Sequence, residues 1–342
     1  MRSVHMSEFN TIAIDLAKSV FQLCVISGHG KSIKHFRLSR TKFQDFMANR
    51  ERSRIVMEAC YSSHYWGRYF EKAGHEVLLI PAQHVTPFVR GNKNDKNDAL
   101  AIYEASLRPN IRFVPVKAEH HQDIQCLHRM RERLVANRTA LCNQLRGLLA
   151  DYGHIFPIGI NAIIKGVREI IQDASLSGSL LSELESSIVE YDYQTKRIDK
   201  INKSLKDHSD KNPHNQRLME IPGIGAHIAT AITSTVGKAE VFRNARDFAA
   251  WTGLTPRQSA SGNKSVMGGI TKRGDQYLRK LLVQAARHTV RWAVKENDSK
   301  FAQWINEIIV RRGLQKGVVA VAHKLARIIW CVLTREEGFK PA

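Results

Sequence analysis

Two short apolar runs each end in one carboxylate: TIAID closes on Asp15 and RIVME closes on Glu58. Aliphatic runs of this length read as strands buried on both faces. A carboxylate at the end of such a strand costs free energy unless it is paired, hydrogen-bonded or held by a cation. If the two strands are neighbours, both acids emerge at one sheet edge. The surrounding pattern fits such a sheet. VFQLCVIS and IKHFRLS read as further strands, TKFQDFMANR as a helix, SHYWGRYFEKAGH as an amphipathic helix closing near Gly74, EVLLIPA as a strand ending at Pro81, and RFVPV as a last short strand. The order is that of a mixed α/β sheet.

Between the last two strands lies KNDKNDALAIYE, with Asp95 and Asp98 three residues apart where a helical pattern over 95–107 begins. Asp95 as N-cap and Asp98 in the first turn would meet the positive end of the helix dipole. Residues three apart also share a helical face. The pair could therefore bring two more carboxylates to Asp15 and Glu58. Four hard oxygen ligands suit Mg2+, with Mn2+ a possible substitute, and metals so placed support phosphodiester chemistry.

Residues 121–210 change character. Leu127, Leu134, Leu141 and Leu148 fall seven apart, with Ile124, Arg131, Arg138 and Leu145 in a companion row. A second run, Leu181, Leu184, Ile188, Tyr191, Ile198 and Leu205, keeps the same spacing. Two long helices with a heptad seam predict an antiparallel hairpin or an intermolecular coiled coil. Arginine is costly in a dry seam, which favours a partly open dimer arm. Residues 151–175 read as an irregular connection.

The polar stretch DHSDKNPHN marks the next boundary. After it, EIPGIG between apolar helices matches a helix-hairpin-helix turn, whose Pro222, Gly223 and Gly225 could let backbone N–H groups approach a phosphate. The chain carries 52 Lys and Arg against 32 Asp and Glu, a net charge of +20, and +13 of this lies in residues 211–342. Such an excess points to a polyanionic partner. Nine Lys and Arg against one acid, Asp275, fall between Thr255 and Lys295. Arg257, Lys272, Arg273, Arg279 and Lys280 are the candidate phosphate contacts there. Five scattered cysteines suit a reducing cytosol. The N-terminus lacks a signal-peptide pattern, and no uninterrupted apolar stretch reaches the ~18 residues of a membrane span.

Together IAIDLAKSVF, VMEAC, KNDKNDA, IPGIG, GLTPRQSASG and GGITKRGDQYLR, in this order, resemble the DEDD transposases of bacterial insertion sequences. These form the insertion sequence 110 family, which includes the pilin-gene invertases. The resemblance implies α/β plus α architecture in three parts. Residues 8–120 would be a RuvC-like, RNase H-fold catalytic domain. Residues 121–210 would be a coiled-coil arm. Residues 211–342 would be a mainly helical transposase domain with the helix-hairpin-helix. It maps the four acids onto Asp15, Glu58, Asp95 and Asp98 and a nucleophilic serine onto Ser261, with Ser259 and Ser265 close by. It further implies a structured guide RNA, DNA ends and target as partners, a homodimer or homotetramer, and a bacterial cytoplasmic, nucleoid-associated location. Two other readings share the basic excess: a metal-dependent junction endonuclease that uses water, and a helix-hairpin-helix protein that binds nucleic acid without chemistry.

Overall fold

The computed structural model describes residues 10–28, 32–89, 95–174, 176–262, 264–296 and 299–340, without the side chains of residues 95, 96 and 264. The chain forms two compact units, Met1–Glu119 and His120–Ala342.

The first unit is built on β1 (Thr11–Asp15), β2 (Val20–Ile26), β3 (Ile33–Ser39), α1 (Arg40–Ala48), β4 (Arg54–Glu58), α2 (Ser63–Lys72), β5 (Glu76–Ile80), the short α3 (Ala82–Val85) and α4 (Asp95–Ser106). The five strands lie in the order β3-β2-β1-β4-β5. β1, β2 and β3 pair antiparallel, while β1–β4 and β4–β5 are parallel. Alternation along the central strands fills both faces. Ile12, Ile14, Ile55 and Met57 pack with Phe43, Trp66 and Phe70 from α1 and α2. Ala13, Cys24 and Val56 face the small-residue side of α4, namely Ala99, Ala101, Ile102 and Ala105. Strands covered on both faces must be apolar throughout, so Asp15 and Glu58 are where β1 and β4 leave the core. The segment RFVPV does not form the expected strand. It contributes one antiparallel bridge, Val114 to Leu79.

The second unit opens with α5 (Glu119–Ala150), α6 (Ile160–Asp173) and α7 (Gly178–Asp210). α5 and α7 pair within the chain as an antiparallel hairpin, because Arg131 donates to Asn202 (2.6 Å) and Arg138 to Thr195 (3.2 Å). Both seam arginines are thereby answered by polar side chains of the opposite helix, and Arg138 also lies 5.9 Å from the Tyr191 ring centre. The buried face of α5 centres on Ile124, His128, Leu134, Cys142, Leu145 and Leu149. Leu148, placed in the seam by the heptad count, is 51% exposed. A straight helix drifts about 20° per heptad against a strict repeat of seven. The connection read as irregular contains α6, whose Ile163, Ile164, Val167 and Ile170 close the hairpin's far end over Leu145, Leu149 and Leu184.

The remainder is α8 (Pro213–Met219), α9 (Ala226–Val236), α10 (Ala245–Trp251), the hairpin β6 (Pro256–Ser261) and β7 (Lys264–Ile270), α11 (Gln276–Lys295), α12 (Lys300–Arg312) and α13 (Leu314–Arg335). Their apolar faces form one large core. α13 is long and apolar enough to cross a membrane by composition. Here its Val321, Leu325, Ile329 and Leu333 are core residues packed among α8, α10, α11 and α12.

The seam pair yields a double-mutant test. Asn202→Leu alone leaves the half-buried Arg131 guanidinium without its acceptor and should cost about 1–3 kcal/mol. Arg131→Met with Asn202→Leu should recover most of that loss in urea unfolding. Additive losses would mean that the two side chains are not coupled.

Candidate active site

The first unit gathers its acids through strand register. β1 and β4 run parallel with Ile14 opposite Met57, so the next residues, Asp15 and Glu58, come off adjacent strands at the same edge. The crevice outside the carboxyl ends of parallel strands is where open α/β sheets place ligands. α4 packs on β1 and β4 and carries Asp98. Burial and the negative charge of Asp98 both push the Glu58 carboxyl above its ordinary pKa. The thiol of Cys60, two residues on, is raised by burial and then by Glu58, with a smaller contribution from Asp15. Glu58 thus lies within electrostatic reach of Asp98, and both Glu58 and Asp15 within reach of Cys60. Asp95 is the first residue of α4; its side chain lies outside the described residues. Among the described residues, which leave out the Asp95 side chain, no group of three or more His, Cys, Asp or Glu is placed to hold a metal ion. The donor set itself, carboxylates held together against mutual repulsion, fits a hard divalent cation.

The second unit carries the basic motifs. GLTPRQSASG and GGITKRGDQYLR are the two strands of one hairpin together with its base. Gly274 (φ +85°) lies so close to α10 that an added Cβ would collide with the Trp251 carbonyl oxygen, and Gly253 meets the Arg273 backbone in the same way. Only glycine accommodates this approach. Thr271 N–H donates to the Thr255 carbonyl (2.8 Å) and Lys272 N–H to that of Gly253 (3.1 Å), which extends the ladder below the strands. Asp275 then caps α11 by accepting from Leu278 N–H (2.8 Å). Ser261 is the last residue of β6, paired in register with Lys264, and Gly262 (φ +55°) begins the turn. Ser259, Ala260 and Ser261 are strand despite the turn-like composition of SASG, and every residue of β6 is exposed. Ser259 pairs with Val266, and Ser265 accepts from Gln258 (3.1 Å).

Not all predicted phosphate contacts face outward. Arg257, Lys272 and Arg273 lie on the exposed hairpin and its base. The Arg279 guanidinium instead donates to the carbonyls of Thr252 (3.2 Å) and Arg273 (3.3 Å), which fixes the hairpin base. Lys280 pairs with Glu132 of α5 at 2.9 Å. The EIPGIG turn joins α8 to α9, but Gly223 (φ +85°) gives its close approach to α11: a Cβ there would meet the Ala285 carbonyl and Thr289 Oγ1, both at 2.5 Å. Thr289 in turn donates to the Pro222 carbonyl (2.7 Å). Gly225 has open space around it.

A buried polar network joins α5, α9 and α11. His128 bonds the Tyr277 hydroxyl and Thr230 Oγ1, each at 3.0 Å, and Tyr277 also bonds His227 (3.1 Å). Burial is the main cause that drops the pKa of His128 to about 3 and of His227 to about 4, and that raises Tyr277 to about 12. The three side chains are far apart in sequence, so no local signal announces them.

Comparison with known proteins joins these features. Residues 12–154 match the DEDD transposase family of IS110 type, and residues 215–302 match the transposase family IS116/IS110/IS902. The chain belongs to the IS110 family of transposases. It is 40% identical over 336 residues to a probable family 20 transposase of Pseudomonas aeruginosa, covering 96% of this chain and 98% of that one. It is 38% identical to the transposase for insertion sequence element IS1111A of Coxiella burnetii (98% and 92%) and 37% to that for IS1328 of Yersinia enterocolitica (98% and 99%). An IS110-family transposase is a phosphoryl-transfer enzyme acting on DNA, and the DEDD family implies use of a divalent metal.

The raised Glu58 pKa carries a sign. A carboxyl that holds its proton more tightly when folded lowers native stability as the pH rises through that pKa. In metal-free protein Glu58→Gln should therefore melt above wild type at neutral pH, and the gap should close below the ordinary carboxylate range. Equal melting at every pH would mean that neither burial nor the Asp98 charge raises the Glu58 carboxyl.

Proposed function

We propose that the chain is an insertion-sequence transposase that cuts and rejoins DNA through a covalent serine–phosphate link. Asp15, Glu58, Asp95 and Asp98 would hold Mg2+, or Mn2+ in its place. The observation that carries this reading is the parallel register that puts Asp15 and Glu58 side by side beneath α4, with the Asp98 charge felt by Glu58. When bound, the cation would neutralise the clustered carboxylates and polarise the scissile phosphate.

Ser261 is the proposed nucleophile. Its Oγ forms a bond to phosphorus as one backbone P–O bond breaks. The hydroxyl proton leaves, and the departing sugar oxygen takes one up, so charge and protons balance. Rejoining reverses the step with a new sugar hydroxyl. The exposed end of the hairpin suits a group that must reach a duplex, while Arg257, Lys272 and Arg273, toward the opposite end of the ribbon at its base, would contact flanking phosphates. Gly225 and the start of α9 would add backbone N–H groups to a DNA phosphate in the manner of a helix-hairpin-helix, while Pro222 and Gly223 shape that turn. Arg279 and Lys280 would act by holding the hairpin base and the arm in place.

The three-part division follows the same reading: residues 8–120 as a RuvC-like RNase H-fold domain, 121–210 as an arm, and 211–342 as the transposase domain. A structured guide RNA would supply site choice by base pairing, with the protein reading backbone and shape. A homodimer or homotetramer would bring DNA ends and target together in the bacterial cytoplasm, at the nucleoid.

Covalent trapping tests the proposal. Protein with RNA transcribed from the DNA flanking its gene, Mg2+ and labelled element-end DNA should give a protein–DNA adduct. Mass spectrometry should place it on Ser261, and Asp98→Asn should abolish it. Nicked DNA without an adduct, persisting in Ser261→Ala, would establish the water-using nuclease instead. Tight DNA binding with neither product, unchanged in Asp15→Asn, would leave a non-catalytic nucleic-acid-binding protein.

A further inference from the structure

Away from the acids and the serine hairpin, α12, α13 and the segment after α13 enclose a recess of about 610 Å3, within the ~300–1,000 Å3 range of small-ligand clefts. Its floor is aromatic. Phe301 and Trp304 stack with ring centres 6.1 Å apart and planes 10° apart, and Phe339 meets Phe301 edge-on at 6.0 Å. Trp304 is partly exposed. The rim is cationic: Lys300, Lys324, Arg327, Arg335 and Lys340 line it against a single acid, Glu337.

These cations are not neutralised by the fold. Among the described residues none of the five forms an ion pair, and the Arg327 Nε is buried without a hydrogen-bond partner. Lys324 Nζ sits 5.8 Å from the Trp304 ring centre, its one described partner. Gathering five positive charges around one cleft is unfavourable unless a polyanion occupies it. An aromatic floor adds nothing to the binding of a bare phosphate, whereas it offers a stacking surface to a ring. Most of the recess lies past residue 302, where the match to the IS116/IS110/IS902 family ends.

We propose that this recess binds an unpaired nucleotide of a nucleic-acid strand, with the base against Trp304 and Phe339 and the flanking phosphates on the lysine and arginine rim. Duplex DNA keeps its bases stacked and presents no free ring, and an anionic headgroup carries no ring at all. Single-strand sites combine a cationic track with aromatic platforms in this way. The inference stands on the chemistry of the recess and does not depend on the serine–phosphate reading.

Fluorescence anisotropy on the full chain tests it, with short labelled oligothymidylate and oligouridylate and a duplex of equal length. Single-strand binding should depend on Trp304 and duplex binding should not, and the tighter of the two single strands identifies DNA or RNA as the source. Trp304→Ala should weaken that binding about 5- to 150-fold by loss of stacking, and Trp304→Phe should restore most of it. Lys324→Gln with Lys340→Gln, the first partly exposed and the second exposed, should lower the salt slope for a single strand by about 1.4 on a log–log plot. A halogenated-uridine strand should photocross-link within residues 300–304 or 336–340. Cross-links only elsewhere, or an unchanged affinity and slope in the lysine variant, would overturn the proposal. So would equal displacement of wild type and Trp304→Ala by polyphosphate, which lacks bases.

Discussion

The parallel pairing of β1 with β4 is the constraint on which the site depends. Ile14 opposite Met57 makes Asp15 and Glu58 the next residues on neighbouring strands, at the point where both leave a core closed on its two faces. A slip of one residue would turn Ile12, Ile14, Ile55 and Met57 from one face to the other, so the hydrophobic pattern fixes the register and the register fixes the acids. The small residues Ala13, Ala99, Ala101 and Ala105 bring α4 onto the sheet and Asp98 into range of Glu58. Repulsion between Glu58 and Asp98 is a cost that, on the proposed reading, a divalent cation would relieve.

The second unit solves a different problem, the support of an exposed hairpin. β6 and β7 have no core of their own, and an isolated two-stranded ribbon is marginal in water. The support comes from below: Gly253 and Gly274 let two backbones touch, Arg279 ties three segments through carbonyl oxygens, and Asp275 caps α11. The His128–Tyr277–His227 network and the Glu132–Lys280 pair join that helix to the arm. The order of elements therefore places a serine on a rigid base without burying it.

Much of this was legible in the sequence where periodicity was strong. The order and type of the first five strands and of α1, α2 and α4 follow from apolar runs and turn residues, and the two acids at strand ends announce the sheet edge. Local signals failed where distant residues decide. Val114 forms only a bridge because Pro115 cannot donate to a ladder. The heptad count misplaced Leu148 because a straight helix drifts from a sevenfold repeat. The α6 pattern of Ile163, Ile164, Val167 and Ile170 was present but hidden beside Pro157 and Gly159. Ser261 lies on a strand despite the turn-like composition of SASG, because pairing with Lys264 overrides propensity. Gly223 matches a phosphate-binding turn by motif, yet its close contact is with α11, which no short motif can encode.

The central claim is that the acids at the β1–β4 edge form one cation site. Titration of the full chain with Mn2+, followed by the electron paramagnetic resonance signal of the free ion, tests it most directly. The account predicts saturable binding by wild type, competed by Mg2+, and sharply weakened in each of Asp15→Asn, Glu58→Gln and Asp98→Asn while the folded content is unchanged. Binding as tight as wild type in all three variants would contradict it and would return the acids to strand-end and helix-terminus roles.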